Sequence, residues 1–93
     1  MKYQNIDPQI KKMASQIVFS AAAIEGAPYT VYVDVGKTEA FVNVEAYMNQ
    51  EGITRYVVEV SPDGYGVARK HFDDTPDAVR FLATRLAIVA GQR

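Results

Sequence analysis

The sequence predicts an α+β domain of the order α-β-β-β-β-α, a four-stranded antiparallel meander with two helices packed on one face. Three observations carry this expectation. Apolar residues recur at helical spacing near each end of the chain. The runs between them alternate apolar and polar residues at period two, and turn-forming residues separate those runs. With 93 residues the chain is the size of one domain, residues 1–93.

Asp7-Pro8 opens the first helix, an aspartate able to cap free amides followed by proline at the first helical position. Ile10, Met13, Ile17, Ala21 and Ile24 then form one apolar stripe, and Gly26 supplies the residue that stops the helix. About 18 helical residues would rise about 27 Å. Ala21-Ala22-Ala23 permits close approach, with burial against the sheet as the default.

The run from Tyr29 to Val35 places Tyr29, Val31, Val33 and Val35 on one face and Thr30, Tyr32 and Asp34 on the other. Residues 39–48 set Ala40, Val42, Val44, Ala46 and Met48 opposite Phe41, Asn43, Glu45 and Tyr47. Gly36-Lys37 between them reads as a two-residue hairpin turn. That turn pairs Val33 with Ala40, Val31 with Val42, Tyr32 with Phe41 and Thr30 with Asn43, so no side chain is forced to the wrong face.

Asn49-Gln50-Glu51-Gly52 reads as a loop, and Ser61-Pro62-Asp63-Gly64-Tyr65 as a second hairpin turn. With Ser61 opposite Tyr65, Val58 faces Ala68 and Val60 faces Gly66 on the core side. Val57 faces Arg69, and Arg55 faces His71, on the other. The last helix begins at Thr75-Pro76, with Asp73, Asp74 and Asp77 around its positive end. Val79, Leu82, Leu86 and Val89 form its main stripe, Ala78, Phe81 and Ile88 widen it, and Gly91 ends it. Strands of about seven residues extend roughly 23 Å, so both helices match the sheet in length. A sheet with one aliphatic face and two striped helices is most economically closed with both helices on that face.

Hydrophobic content of 48% with 23% charged residues suits a globular protein and argues against disorder. Ten basic and eleven acidic residues leave a formal charge of −1, which gives no long-range pull on nucleic acid or an anionic membrane. The absence of cysteine excludes disulfides, thiolate metal sites and thiol nucleophiles. The start, Met1-Lys2-Tyr3-Gln4-Asn5, lacks the apolar run of a signal peptide, and no segment approaches the length of a membrane span. The expectation is a soluble cytoplasmic protein without membrane contact.

The sheet face left uncovered carries Tyr32, Phe41 and Tyr47 from one hairpin and Arg55, Val57, Val67, Arg69 and His71 from the other, with Glu45 and Glu59 interspersed. Aromatic residues and arginines among charges are a recurring composition of protein interfaces. Tyr32, Phe41, Tyr47, Arg55 and Arg69 are therefore the candidate partner-binding residues, for a protein partner or for a homodimer through this face. A half-exposed antiparallel sheet also gathers tyrosine and valine simply because they favour strands. Rings and arginines on a sheet would suit stacked single-stranded nucleic acid too, but acids on the same face offset the bases.

Other constellations reduce to structure. Gly36-Lys37-Thr38 echoes the end of a phosphate-binding loop, but Val31 stands where the earlier glycine is needed and a strand follows instead of a helix. His71 is the only histidine, and a lone imidazole makes neither a zinc site nor a triad. Asp73, Asp74 and Asp77 are explained as caps and dipole partners. No catalytic, cofactor-binding or metal-ligating set can be named, so the expected protein is not an enzyme and uses no cofactor.

Two stretches resemble known families. Gly66 through Leu82 joins a strand, a Phe72-Asp73-Asp74-Thr75 corner and a helix, which looks like the corresponding stretch of small phage-encoded anti-CRISPR proteins that bind type I surveillance complexes. That resemblance implies stoichiometric inhibition by binding to a host complex, without catalysis. The near-neutral charge points to contact with a protein surface over a DNA channel. Tyr56-Val57-Val58-Glu59-Val60, then Asp63-Gly64-Tyr65, then Thr75 and Ala78, is similar to HicB-type antitoxins, which implies a self-associating antitoxin or immunity-type accessory protein.

Overall fold

The computed structural model describes residues 3–24, 26–61 and 68–91. A 3-10 turn at Tyr3–Asn5 precedes α1 (Pro8–Ala23). Strands β1 (Tyr29–Val35), β2 (Thr38–Met48), β3 (Thr54–Ser61) and β4 (Ala68–Phe72) follow, and α2 (Thr75–Val89) completes the order. The strands form one four-stranded sheet in the order β1-β2-β3-β4, antiparallel throughout. This is the α+β meander expected from the sequence.

The core lies on one side of the sheet because β2 and β3 alternate without a slip. Ala40, Val42, Val44 and Ala46 of β2 and Tyr56, Val58 and Val60 of β3 are buried, while their neighbours in sequence are not. The β2–β3 register sets Val42 against Val60, Val44 against Val58 and Ala46 against Tyr56. Both helices cover that face: α1 lies chiefly over β2, α2 chiefly over β3, and the two pack on each other.

Each helix starts at a side-chain cap. The Asp7 carboxylate accepts from the Gln9 amide at 2.8 Å, and the Asp74 carboxylate accepts from the Asp77 amide at 2.8 Å. Both occupy N-cap positions and are followed by proline in the first turn. The buried set of α2 is Ala78, Leu82, Ala83, Leu86 and Ala87, and that of α1 is Ile10, Ala14, Ile17, Val18 and Ala21. Alanine at so many of these positions lets the helix axes approach each other and the sheet closely. Ile6, ahead of α1, is also sealed in the core. On the β4 side, the rings of Phe72 and Phe81 meet at 5.1 Å and tie the strand to α2.

Several expectations shift. The β3–β4 register is two residues longer than the tight turn implied: Val58 pairs with Lys70, Val60 with Ala68 and Val57 with His71. The shift is even, so Arg69 and His71 stay on the face opposite the helices. The residues proposed as its turn, 62–65, lie outside the described residues, as do Gly66 and Val67. Helix α1 ends at Ala23 rather than running on to Gly26, and Ile24 caps it with 44% of its surface exposed. Chain reversal there is fixed by Gly26, whose φ of 96° only glycine adopts readily and whose amide donates to the Ala46 carbonyl at 2.9 Å. Met48 is 58% exposed, beyond the reach of the helices. In α2, Val79 and Val89 are half-buried flanks and the alanines face inward, because small residues fill the narrowest gaps.

Ala83 has no exposed surface. Ala83→Leu should therefore cost about 1–3 kcal/mol through overpacking. Urea denaturation checks this, and an unchanged midpoint would show that the helices are not in close contact at that point.

Candidate functional site

The sheet face turned away from the helices is built of short cross-strand rows fixed by the three registers. Nearest the β1–β2 turn, Asp34 faces Glu39. The next row runs Tyr32, Phe41 and Ser61; the third runs Thr30, Asn43, Glu59 and Arg69. The fourth holds Glu45, Val57 and His71, and the last pairs Tyr47 with Arg55. Among the described residues no helix covers these rows, and most of their side chains are half-buried.

Tyr32 and Phe41 form the apolar corner of this face. Their ring centroids lie 5.3 Å apart with planes at 65°, an edge-to-face pair. Tyr32 is 65% exposed although it is a large apolar ring, whereas Phe41 is half-buried beneath it. A single exposed tyrosine is unremarkable, whereas aromatic side chains are enriched among interface anchors.

The five candidate partner-binding residues do not gather at one point. Tyr47 stands about 20 Å from Phe41 along β2, at roughly 3.3 Å per residue. Arg55 is engaged inside the chain: its Nε donates to the Asp73 carboxylate at 2.6 Å, with the side chains 37% and 74% exposed. Such a pair contributes at most about 1 kcal/mol, but it holds the guanidinium toward the start of α2. Arg69 lies on the β4 edge beside Glu59, between the two ends. The corner at Tyr32 and Phe41 is thus separate from the Tyr47–Arg55–Asp73 end, and a polar band of Thr30, Asn43, Glu59 and Arg69 divides them. The Thr30 hydroxyl donates to Asn43 Oδ1 at 3.2 Å within that band.

Asp73, which the sequence assigns to the helix start, pairs with Arg55 instead, while Asp74 caps α2. Tyr56 joins the core although the sequence pattern does not mark it. It is buried on the helix face, its hydroxyl 2.8 Å from Thr75 Oγ1, so the first turn of α2 is pinned to β3. His71 is exposed on β4 opposite Val57. Among the described residues no cluster of three or more His, Asp and Glu side chains is placed to hold a metal ion.

The helical side carries one further feature. An open groove of about 290 Å³ is lined by Tyr3, Phe19, Thr75, Pro76, Val79 and Arg80. Lys11 and Arg80 approach the Tyr3 ring at 4.7 and 5.4 Å, so that ring is already held by two cations. Among the described residues no helix is long and apolar enough to cross a membrane.

Comparison with known protein families, curated proteins and solved structures found no match.

Asp34 and Glu39, both exposed, oppose like charges across the β1–β2 pair. Glu39→Lys should stabilise the fold by about 0.5 kcal/mol, with most of the gain lost in high salt. Thermal melts at low and high ionic strength check this, and a destabilised variant at low salt would contradict the register.

Proposed function

We propose that this chain is a non-catalytic protein-binding module whose contact is centred on the Tyr32–Phe41 corner of the open sheet face. The observation that carries this reading is the edge-to-face ring pair at 5.3 Å on the β1–β2 ribbon, with Tyr32 65% exposed. Aromatic anchors held in one orientation lose little conformational entropy on binding, and they contribute more per residue than the polar band beside them. Of the other candidates, Arg69 lies nearest as a rim contact, Tyr47 belongs to a separate patch, and Arg55 is occupied by Asp73. The finer reading, a stoichiometric inhibitor of a host complex, rests on the resemblance of residues 66–82 to anti-CRISPR proteins alone.

Affinity capture from lysate, with Tyr32→Ala/Phe41→Ala run beside the unmodified chain, tests the module. One stoichiometric protein should be recovered with the unmodified chain and lost with the double variant, whose circular dichroism spectrum should match. Equal recovery by the folded variant would remove this corner as the contact.

A further inference from the structure

We propose that the free edge of β1 is a self-association surface, through which two copies of this chain join their sheets by antiparallel β1–β1 pairing about a two-fold axis at Tyr32. The inference stands on the backbone edge of the sheet and goes beyond the reading of its open face.

The two edges of the sheet are unlike. β4 carries Arg69, Lys70 and His71, and Phe72 is locked to Phe81 with Lys70 over its ring at 5.7 Å. Cationic edges of this kind resist pairing with another chain. β1 has none of these devices. Its sequence, Tyr-Thr-Val-Tyr-Val-Asp-Val, is seven residues long, lacks lysine, arginine, proline and glycine, and holds Asp34 as its single charge. Among the described residues no strand pairs with its outer side. On the core face of β1 only Val35 is buried; Tyr29, Val31 and Val33 are half-buried, because α1 lies chiefly over β2.

The phase of the hairpin decides which backbone groups are free. Val35 and Thr38 flank the two-residue turn and pair directly. In such a hairpin the flanking residues exchange both backbone hydrogen bonds, and every second residue repeats that arrangement. Val35, Val33, Val31 and Tyr29 therefore bond to β2, and Thr30, Tyr32 and Asp34 turn their N–H and C=O groups outward. Antiparallel pairing centred on Tyr32 sets each outward residue against an outward residue of the second copy.

That register is also self-complementary in its side chains. Tyr32 meets Tyr32 of the second copy, and with each Phe41 behind it the ring pair becomes a continuous aromatic row across the axis. Val31 faces Val33 of the second copy on the helix side. Asp34 faces the neutral Thr30, whereas in-register parallel pairing would oppose Asp34 to itself. The helices do not obstruct it. With strands about 4.8 Å apart, the two β2 strands would stand about 14 Å apart, beyond the 8–10 Å of packed helices. The helices then lie on one side of the joined sheet and both open faces on the other.

Sedimentation equilibrium of the full chain from about 10 μM to about 1 mM, the range a small interface requires, should show the mass rising from 10.3 kDa toward twice that value. Amide exchange at the two ends of the range supplies the specific readout. The amides of Thr30, Tyr32 and Asp34 should slow at least ~tenfold on association, while those of Val31 and Val33 stay protected throughout. Val33→Lys, an inward charge on an edge strand, should hold the chain monomeric with an unchanged circular dichroism spectrum. A chain that remains monomeric at the highest concentration overturns the proposal, as does association that leaves the Thr30, Tyr32 and Asp34 amides fast. Val33→Lys keeps Tyr32 and Phe41 in place, so loss of self-association and loss of a partner at the open face are read separately.

Discussion

The alternation of β2 and β3 is the constraint on which the rest of the molecule depends. Val42, Val44, Val58 and Val60 are fully buried on one face, and each is flanked in sequence by side chains that are not. With period two a slip of one residue would turn the whole apolar set to water, so the register is held by the core itself. Both helices then have only one place to go. Alanines at positions 14, 21, 78, 83 and 87 let them settle side by side over the two central strands.

This one-sided burial gives the molecule its two unlike borders and its bare face. Over the central strands the helix-facing side chains from Ala40 to Ala46 and from Tyr56 to Val60 are buried. Toward β4 the Phe72–Phe81 contact extends the cover, and toward β1 Val35 is buried while Tyr29, Val31 and Val33 are half-buried. The ring pair of Tyr32 and Phe41 sits where the uncovered face meets the less protected border. The open face has a structural cause: both helices lie on one side of the sheet, centred on β2 and β3.

Most of this architecture was legible in the residues, because caps, turns and alternation act locally. Asp7-Pro8 and Thr75-Pro76 mark helix starts, and Gly36-Lys37 sets the first hairpin in the observed register. What was not legible depends on contacts between distant segments. The offset between β3 and β4 is one such feature, since Pro62-Asp63-Gly64 in the sequence is compatible with hairpins of more than one length. The inward alanines of α2 were outweighed by larger valines in the periodic pattern, although depth of burial follows the space between helices rather than side-chain size. The candidate site was legible as a set of residues but not as a geometry. Arg55 carried the composition of an interface residue, and only the fold brings Asp73 to it.

The two-faced sheet is tested most directly by relaxation of valine methyl protons in the presence of a soluble gadolinium chelate. The account predicts strong broadening for Val57, on the bare face, and little for Val42, Val44, Val58 and Val60 beneath the helices. Equal broadening of Val57 and Val58, adjacent in sequence but on opposite faces, would contradict it.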